Sequence, residues 1–330
     1  MAGSWSGALI LAAAAIGLGA ATPAPSIRLQ IPLACTFGKT CFIQQYFDHD
    51  PGPGDTDYRC GTMTYNGHDG TDFRVPTLAA QRAGVAVLAA ADGVVVATRD
   101  GMQDISVALT GSASVAGREC GNGVMVTHPG GWQTQYCHMA KGSLVVKQGQ
   151  AVRAGAPLGQ VGESGDAAFP HLHLNVFKDG VRVDPFAFGA APGSCGGGVS
   201  LWTPEAAKAL AYHSPDLINF GFADGAVTAD DIEEGTAATR TPSAGSPAIV
   251  AFVRTIGLNA GDVLKLEATG PGGFSASSQP ATLDHSKAQS MLFVGSRRPA
   301  AGWAHGVYRA HFTVQRAGAV VLDRSFEATL

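Results

Sequence analysis

Two histidines in one short segment are the residues best placed to do chemistry. The segment PHLHLNVF, residues 170–177, places His171 and His173 two positions apart in a run rich in apolar and β-prone residues. Residues i and i+2 of a strand point to the same face, so both imidazoles should face the same space. They make half of a metal site, because a catalytic zinc takes three protein ligands and keeps one position open.

Two further segments supply candidates for the rest of such a site. YNGHDGTDF, residues 65–73, places His68 and Asp72 four positions apart, and its glycines favour a turn that enters a strand. There Gly70 should let the backbone fold so that both side chains converge. TQYCHM places His138 at the end of a predicted strand. Each match alone is weak and an accidental cluster is the simplest alternative, but their order along the chain, with hairpins between, indicates one site.

In these segments the chain resembles the lysostaphin/LytM-type zinc endopeptidases, which cut peptidoglycan cross-links. The resemblance covers roughly residues 60–188 and includes glycine positions as well as the candidate ligands. The segments that carry it are GHDGTDF, GVAVLAAADGVVV, GNGVMVTH, TQYCHM, VKQGQAVRAGAPLGQVGESG and FPHLHLNV. It implies an antiparallel β-core of the duplicated hybrid motif type, a β-barrel/sandwich hybrid with a long groove across it.

The resemblance also implies a role for each candidate residue. His68, Asp72 and His173 would bind one zinc ion, which would polarise the scissile carbonyl and bring the pKa of bound water down towards about 7. His138 and His171 would act on the substrate and the water. The sequence has no HExxH glutamate to serve as base. One of these two histidines would therefore accept the proton of the water while the other stabilises the oxyanion, and the sequence leaves their order open.

The sequence departs from that family's pattern in two places. Leu174 and Asn175 follow the second histidine, where the family commonly has Phe-Glu, so we expect a changed contact beside an intact ligand set. The segment 99–120 is longer than expected and predicts a loop at the groove edge that alters substrate access. His128 lies where the family often has a histidine that is not a ligand, so we expect a structural role. We expect His49 in a loop.

Composition excludes some classes of protein. The chain has 330 residues, which favours two domains, and its net charge of −4, without a basic arm or Lys/Arg cluster, argues against a nucleic-acid partner. Glycine is abundant, at 44 residues, and no long amphipathic helix is evident, so short strands and turns are favoured over a helical bundle.

The N-terminal residues and the cysteines predict export. An apolar run over residues 8–21 is too short to span a membrane but suits a signal peptide cleaved before Thr22, although it lacks the usual Lys or Arg; an uncleaved anchor is the lesser alternative. No other segment is expected to cross a bilayer. Six cysteines in an exported chain favour disulfides, and Cys120 with Cys137 is the favoured pair because they flank a predicted hairpin. The periplasm, the cell envelope or the medium is the expected location.

The pattern of short apolar runs predicts a mainly β protein with two β units. Hairpins are expected over residues 84–98, 121–139 and 171–188, and another turns near residues 316–318. Thr203 should cap a short helix that begins at Pro204, whereas the acidic stretch after residue 228 suggests a linker. Four aromatic residues at strand spacing are expected in the second core, namely Phe252, Phe293, Tyr308 and Phe312. The predicted divisions are a signal peptide (1–21), a loop-rich N-terminal linker (22–59), a zinc metallopeptidase domain (60–190), a linker with a short helix (191–246) and an Ig-like β-sandwich (247–330).

Several functional alternatives stay open at this point. Relatives that lack ligands act by binding the wall or activating other hydrolases, but all five positions are present here. A zinc peptidase of this kind could instead cut glycine-rich proteins. The C-terminal unit could bind the wall, contact a protein or act as a spacer. The sequence does not determine the oligomeric state or the bond that is cut, which would be D-Ala to diaminopimelate in a Gram-negative host and a glycine bridge otherwise. Residues 32–60, tied by cysteines, could block the groove in a latent form.

Overall fold

The computed structural model describes residues 27–330, and the predicted signal peptide lies outside the described residues. Strands account for 40% of the described residues and helices for 12%, so the prediction of a mainly β fold is confirmed. Between residues 27 and 330, no helix combines the length and the apolar character that a membrane span requires.

One large antiparallel sheet dominates the N-terminal unit. Its strands are β1 (Phe42–Gln45), β2 (Thr71–Arg74), β4 (Gly93–Arg99), β5 (Asn122–His128), β6 (Trp132–Met139), β7 (Ala151–Val152), β9 (His171–Lys178) and β10 (Val181–Val183). A small second sheet pairs β3 (Ala86–Leu88) with β8 (Pro157–Gln160), and two short helices are α1 (Leu78–Ala83) and α2 (Val107–Thr110). The large sheet has the order β1-β2-β9-β6-β5-β4-β7, and β10 pairs with β9. The hairpins expected at 121–139 and 171–188 are therefore confirmed as β5–β6 and β9–β10.

The hairpin predicted over residues 84–98 is wrong, because its two strands lie in different sheets. β3 pairs with β8, whereas β4 pairs with β5 and β7. The intervening Ala89, Ala90 and Ala91 are buried. Their small side chains let the backbone cross the core from one sheet to the other, and their backbone groups bond to partners far along the chain, such as the Tyr136 hydroxyl.

Strand alternation separates the core of this unit from its polar face. Leu172, Leu174 and Val176 of β9 point into the hydrophobic core together with Phe73 of β2. The residues between them point to the opposite face. Apolar residues at every second position therefore fix which side of the sheet can carry polar chemistry.

Three disulfides tie the described chain, namely Cys35–Cys41, Cys60–Cys195 and Cys120–Cys137. The predicted Cys120–Cys137 pair is confirmed. Residues 27–33 also pack firmly, because Ile27, Leu29 and Leu33 belong to the N-terminal core and Leu29 forms a bridge with Trp202.

The C-terminal half contains two further antiparallel sheets. One has the order β11 (Asp216–Ala223), β12 (Ala248–Leu258), β16 (Lys287–Arg297). The other joins β14 (Ser275–Ser277), β13 (Val263–Thr269), β17 (Val307–Arg316) and β18 (Ala319–Thr329), with β15 (Ala281–Thr282) paired to β13. The two sheets share one hydrophobic core. The predicted hairpin at 316–318 is confirmed as β17–β18, whereas an Ig-like connectivity stays a prediction.

Two local expectations in this half need correction. The acidic stretch after residue 228 is not a linker but begins with helix α4 (Ala229–Glu234), because Thr228 and Asp231 form a reciprocal capping box and Ile232 is buried. Of the four aromatic residues assigned to the core, three are buried, but Phe293 is 38% exposed on β16. The helix α3 (Pro204–Ala209) begins as predicted, with the Thr203 side chain accepting from the Ala206 amide.

The two halves are in direct contact. Ile218 of β11 and Ile256 of β12 lie in the hydrophobic core of the N-terminal unit. Gln44 of β1 donates to the Ala288 carbonyl of β16 at 2.9 Å. The C-terminal sheets are therefore docked against the large sheet through both apolar and polar contacts.

Candidate metal centre

Three neighbouring strands bring the candidate residues together. In the register of β2 and β9, Asp72 lies directly opposite His173, and β6 places Cys137 opposite the same histidine. His68 comes from the turn that precedes β2, and His138 is the residue after Cys137. Residues that face each other across an antiparallel pair share one face, so β2 and β9 bring Asp72, His171 and His173 to one side of the sheet. His138, one position beyond Cys137, would point to the other side by strand alternation, but its backbone has a positive φ and its ring lies 4.6 Å from that of His171.

Three donor atoms converge at that point. His173 Nδ1 lies 2.8 Å from Asp72 Oδ1, and His68 Nε2 lies 3.2 Å from the same oxygen. His68 Nε2 and His173 Nδ1 are 3.3 Å apart. His68 and Asp72 are buried and the His173 side chain is 13% exposed, and among the described residues these three form the group of His, Asp, Glu and Cys side chains able to hold a metal ion.

These separations fit zinc. Ligand bonds of about 2.1 Å in a tetrahedron place two donor atoms roughly 3.4 Å apart. The measured separations of 2.8, 3.2 and 3.3 Å lie near that value. Gly70 makes the approach possible, because a Cβ there would lie 2.5 Å from His173 Nε2 and 2.7 Å from the Leu174 carbonyl oxygen. Gly70 is not among the glycines with a positive φ, so its role is this close approach and not the special backbone fold that the sequence led us to expect.

Neighbouring groups fix the orientation of both imidazoles. His68 Nδ1 lies 2.6 Å from the Tyr46 carbonyl oxygen, which leaves Nε2 for the centre. His173 Nε2 lies 3.4 Å from Asp69 Oδ1. Asn175 donates to the Asp69 carbonyl at 2.7 Å and to its carboxylate at 3.0 Å. Asn175, which departs from the family pattern, therefore orients Asp69, and Asp69 in turn contacts His173 Nε2. Sequence reasoning did not identify Tyr46 or Asp69, although Asp69 lies inside the segment that carried the signal.

The electrostatics of the group favour a bound cation. Burial opposes ionisation of Asp72, but the imidazoles of His68 and His171 and the hydrogen bond with His173 hold its pKa well below its usual range. Burial likewise opposes protonation of His173, but Asp69 and Asp72 raise its pKa to about 9. A buried anionic carboxylate ringed by imidazoles therefore attracts positive charge.

His138 and His171 lie beside this group with their rings close together. The two ring centroids are 4.6 Å apart, and His171 Nε2 is 3.5 Å from Asp72 Oδ1. Each uses Nδ1 on a carbonyl oxygen, His138 on Ser164 at 2.7 Å and His171 on Phe169 at 2.8 Å. Their Nε2 atoms are therefore left for the centre or a substrate. Burial lowers the pKa of both, and for His138 the neighbouring imidazoles hold it well below its usual range.

The backbone of His138 is unusual, with φ at +61°, which a non-glycine residue rarely adopts. Surrounding bonds hold it there. Its amide donates to the Cys120 carbonyl at 2.8 Å, and its own carbonyl accepts from the Gly162 amide at 3.0 Å. The adjacent Cys120–Cys137 disulfide closes the same corner. Such a conformation persists where the neighbouring structure over-determines it.

A groove of about 500 Å³ opens onto these residues. His138 and His173 form part of its wall, with Tyr65 beside them, whose ring centroid is 4.6 Å from that of His68. Arg99 and residues 117–120 line it as well, so the long segment 99–120 lies at the groove edge, and its effect on substrate access stays a prediction. The described residues that line the groove begin at Tyr65, so the segment 32–60 does not fill it in this structure.

The remaining histidines singled out from the sequence lie away from the centre. His128 is buried and bridges the Asp92 carbonyl oxygen at 2.7 Å and the Thr134 hydroxyl at 2.9 Å, which is a structural role. His49 lies in a loop, as expected, and its Nε2 is 2.7 Å from Asp184 Oδ2.

Comparison with known proteins identifies the same stretch. The model of peptidase family M23 matches residues 66–185. Over 117 residues the chain is 33% identical to the peptidoglycan DD-endopeptidase ShyA of Vibrio cholerae serotype O1, a match that covers 36% of this chain and 22% of that protein. Over 148 residues it is 31% identical to the DD-carboxypeptidase/endopeptidase Mpg of Neisseria meningitidis serogroup B, covering 44% of this chain and 26% of that protein. The match thus spans about a quarter of the length of these relatives.

Two solved structures show a loose similarity to part of this chain. The catalytic domain of the antimicrobial peptidase lysostaphin from Staphylococcus simulans is 23% identical, with a TM-score of 0.27 over 43% of this chain and 86% of that one. A zinc-containing peptidase from Vibrio cholerae is 24% identical, with a TM-score of 0.28 over 42% of this chain and 39% of that one. On the family match and the related endopeptidase sequences, residues 66–185 of this protein form a domain of peptidase family M23.

Proposed function

We propose that this protein is a zinc-dependent endopeptidase that hydrolyses the peptide cross-links of bacterial peptidoglycan. In this proposal residues 60–190 are the catalytic domain, His68, Asp72 and His173 hold one zinc ion, and His138 and His171 act on substrate and water. Residues 247–330 are then an accessory domain.

One observation carries the proposal above the others. Three nitrogen and oxygen donors meet within 3.3 Å of one another at the wall of a groove, and two imidazoles that are not needed as ligands stand beside them. A purely structural metal site would be closed by a fourth protein ligand, whereas three ligands beside an open groove are typical of catalytic zinc.

A zinc ion bound by these residues would supply Lewis-acid polarisation of the scissile carbonyl and a lowered pKa for water. His138 and His171 keep Nε2 free because Nδ1 of each is engaged by a carbonyl oxygen. Since burial lowers the pKa of both, each is neutral near pH 7 and able to accept a proton. Their 4.6 Å ring separation lets one accept the proton of the water, while the other takes a proton from solvent at the open groove and then donates from Nε2 to the oxygen that gains charge.

The proposed substrate class is supported by the related ShyA, which is named a peptidoglycan DD-endopeptidase. Stem peptides are small and flexible and suit an open groove of about 500 Å³. Three disulfides fit an oxidising location, so we place the enzyme in the periplasm or cell envelope after removal of residues 1–21.

The test is a digest of purified peptidoglycan with the mature chain, read by mass spectrometry. Cross-linked muropeptide dimers should convert to monomers, the conversion should stop with a zinc chelator, and added zinc should restore it. His138→Ala should bind zinc without converting dimers, and His285→Ala, at an exposed histidine of the C-terminal half, is the matched control that should stay active.

Other outcomes of the digest decide against the proposal. Dimers left intact by a zinc-loaded chain that still sediments with the wall would indicate a wall-binding or hydrolase-activating protein. Intact dimers with cleavage of a glycine-rich protein would keep the zinc peptidase and change its substrate. Conversion that survives the chelator would refute the metal chemistry.

A further inference from the structure

A buried ion-pair network joins the strand that carries Asp72 to the C-terminal half. Arg74 lies two residues later on β2, on the same face, and is 1% exposed. Its Nη2 donates to both carboxylate oxygens of Glu233 on α4, at 3.0 and 2.8 Å. Glu233 also pairs with Arg254 of β12, whose Nε donates to Asn219 Oδ1 at 2.7 Å. The Glu233 carboxylate therefore pairs with Arg74 of the N-terminal half and with Arg254 of the C-terminal half.

The other terminal nitrogen of Arg74 is hydrogen-bonded to two glutamine side chains. Nη1 donates to Gln44 Oε1 and to Gln289 Oε1, each at 3.1 Å. Gln44 is in turn fixed by its bond to the Ala288 carbonyl. Glu233, Gln289 and Ala288 all lie outside the matched peptidase stretch, so the orientation of Arg74 depends on the C-terminal half.

Arg74 reaches a proposed catalytic histidine through one aromatic ring. Its guanidinium carbon lies 4.5 Å from the centroid of the Phe169 ring. That ring lies 4.5 Å from the His171 imidazole at an interplanar angle of 32°. The Phe169 carbonyl also accepts from His171 Nδ1 at 2.8 Å. The ring and the carbonyl of one residue therefore set the direction in which His171 Nε2 points.

We propose that Glu233 and Arg254 are positioning residues for His171, acting through Arg74 and Phe169. The C-terminal half is then part of the catalytic unit and not only a spacer or wall anchor. The proposal rests on the role assigned to His171 under the proposed function. Its physical basis is that a buried guanidinium whose carboxylate partner is neutralised must find other acceptors, which moves it off the Phe169 face.

The test compares two neighbouring carboxylates of α4. Glu233→Gln neutralises the network, whereas Glu234→Gln neutralises an exposed ion pair with Arg82 and is the matched control. With purified muropeptide dimers and the zinc-loaded full chain, Glu233→Gln should lower kcat roughly 10-fold or more, because small misplacement of a catalytic group is costly. KM and zinc stoichiometry should stay within about twofold, since the ligands and groove wall are untouched. Glu234→Gln should change none of these values.

A second variant, Phe169→Leu, tests the same chain of contacts in case Glu233→Gln fails to fold. Phe169→Leu removes the ring from a half-buried site, and it should lower kcat with KM unchanged. Because both variants act through one chain of contacts, the Glu233→Gln/Phe169→Leu double variant should lose much less than the product of the two single effects. A kcat at the wild-type level in both single variants would overturn the proposal, as would multiplicative effects in the double variant.

A spectroscopic readout separates this proposal from the peptidase activity itself. The imidazole ¹⁵N resonances of His171 in the full chain report its tautomer and hydrogen bond. They should move in Glu233→Gln and Phe169→Leu and stay fixed in Glu234→Gln, whether or not the wild type cleaves a cross-link. Unmoved His171 resonances in Glu233→Gln and Phe169→Leu would overturn the positioning role. An inactive wild type in which they move would overturn only the proposed function.

Discussion

Removal of the Cys120–Cys137 disulfide tests whether that corner of the fold holds His138 in its working conformation. The bond closes a 17-residue loop around the β5–β6 hairpin. The entropy of closing such a loop in the unfolded chain corresponds to about 3 kcal/mol. His138 follows Cys137 directly, and its φ of +61° is maintained partly by the bond of its amide to the Cys120 carbonyl. The Cys120→Ala/Cys137→Ala variant should therefore lose stability and turnover together.

The matched control is the Cys35–Cys41 disulfide, which spans 6 residues in the N-terminal segment. The same entropy relation gives about 2 kcal/mol for its removal. None of the groove-lining residues in the described chain belongs to that segment, so the Cys35→Ala/Cys41→Ala variant should keep the wild-type kcat. Urea denaturation followed by far-UV circular dichroism gives the free energy of unfolding of each variant. Conversion of muropeptide dimers at low temperature, where each variant is folded, gives kcat.

The expected pattern is a loss of stability in both variants and a loss of kcat, roughly 10-fold, in the Cys120/Cys137 variant alone. A folded Cys120/Cys137 variant with wild-type kcat would show that backbone hydrogen bonds suffice to hold His138. If the Cys120/Cys137 variant has the same free energy of unfolding as the wild type, loop-closure entropy in the unfolded chain does not determine what this disulfide contributes to stability. Effects on the native state would then determine it.

Three further predictions concern the proposed zinc ligands, Glu163 and the longest disulfide. His173→Ala should lose bound zinc, measured by metal analysis after dialysis, whereas His138→Ala should keep a full equivalent and lose turnover; zinc lost from both would remove the distinction between ligand and catalytic residue. Burial and the neighbouring Glu233 carboxylate raise the pKa of Glu163 to about 7 from its ordinary 4.5, so its contribution to stability is complete below pH 4.5 and is lost as pH rises through 7. As the pH rises from 4.5 to 7, the free energy of unfolding from urea titrations should therefore fall less in Glu163→Gln than in the wild type. Parallel plots of unfolding free energy against pH would contradict the raised pKa of Glu163. The Cys60–Cys195 disulfide spans 135 residues, so its removal should cost about 5 kcal/mol by the loop-entropy relation, and a urea midpoint no lower than that of the Cys120/Cys137 variant would refute that ranking.

Features with a local cause were predictable from the sequence. The two histidines on β9 share a face because strand side chains alternate. The β5–β6 and β9–β10 hairpins and the Cys120–Cys137 pair follow from turn residues between apolar runs. The capping of α3 by Thr203 is equally local. In each case the residues that decide the structure lie within about twenty positions of one another.

The tertiary structure decided whatever depends on partners far along the chain. The separation of β3 and β4 into two sheets follows from pairing with distant strands, which a glycine turn between two apolar runs does not reveal. Glu233 lay in an acidic stretch that suggested a linker, yet it faces Arg74 from 159 residues away. The neighbouring sequence of a charged residue does not show whether the residue is solvated or paired in a core. The free-energy cost of burying its charge depends on the partner that it meets in the folded protein. The sequence alone therefore determined the candidate ligands and the strand face that carries them, and only the packing of the two halves decided what holds His171 in place.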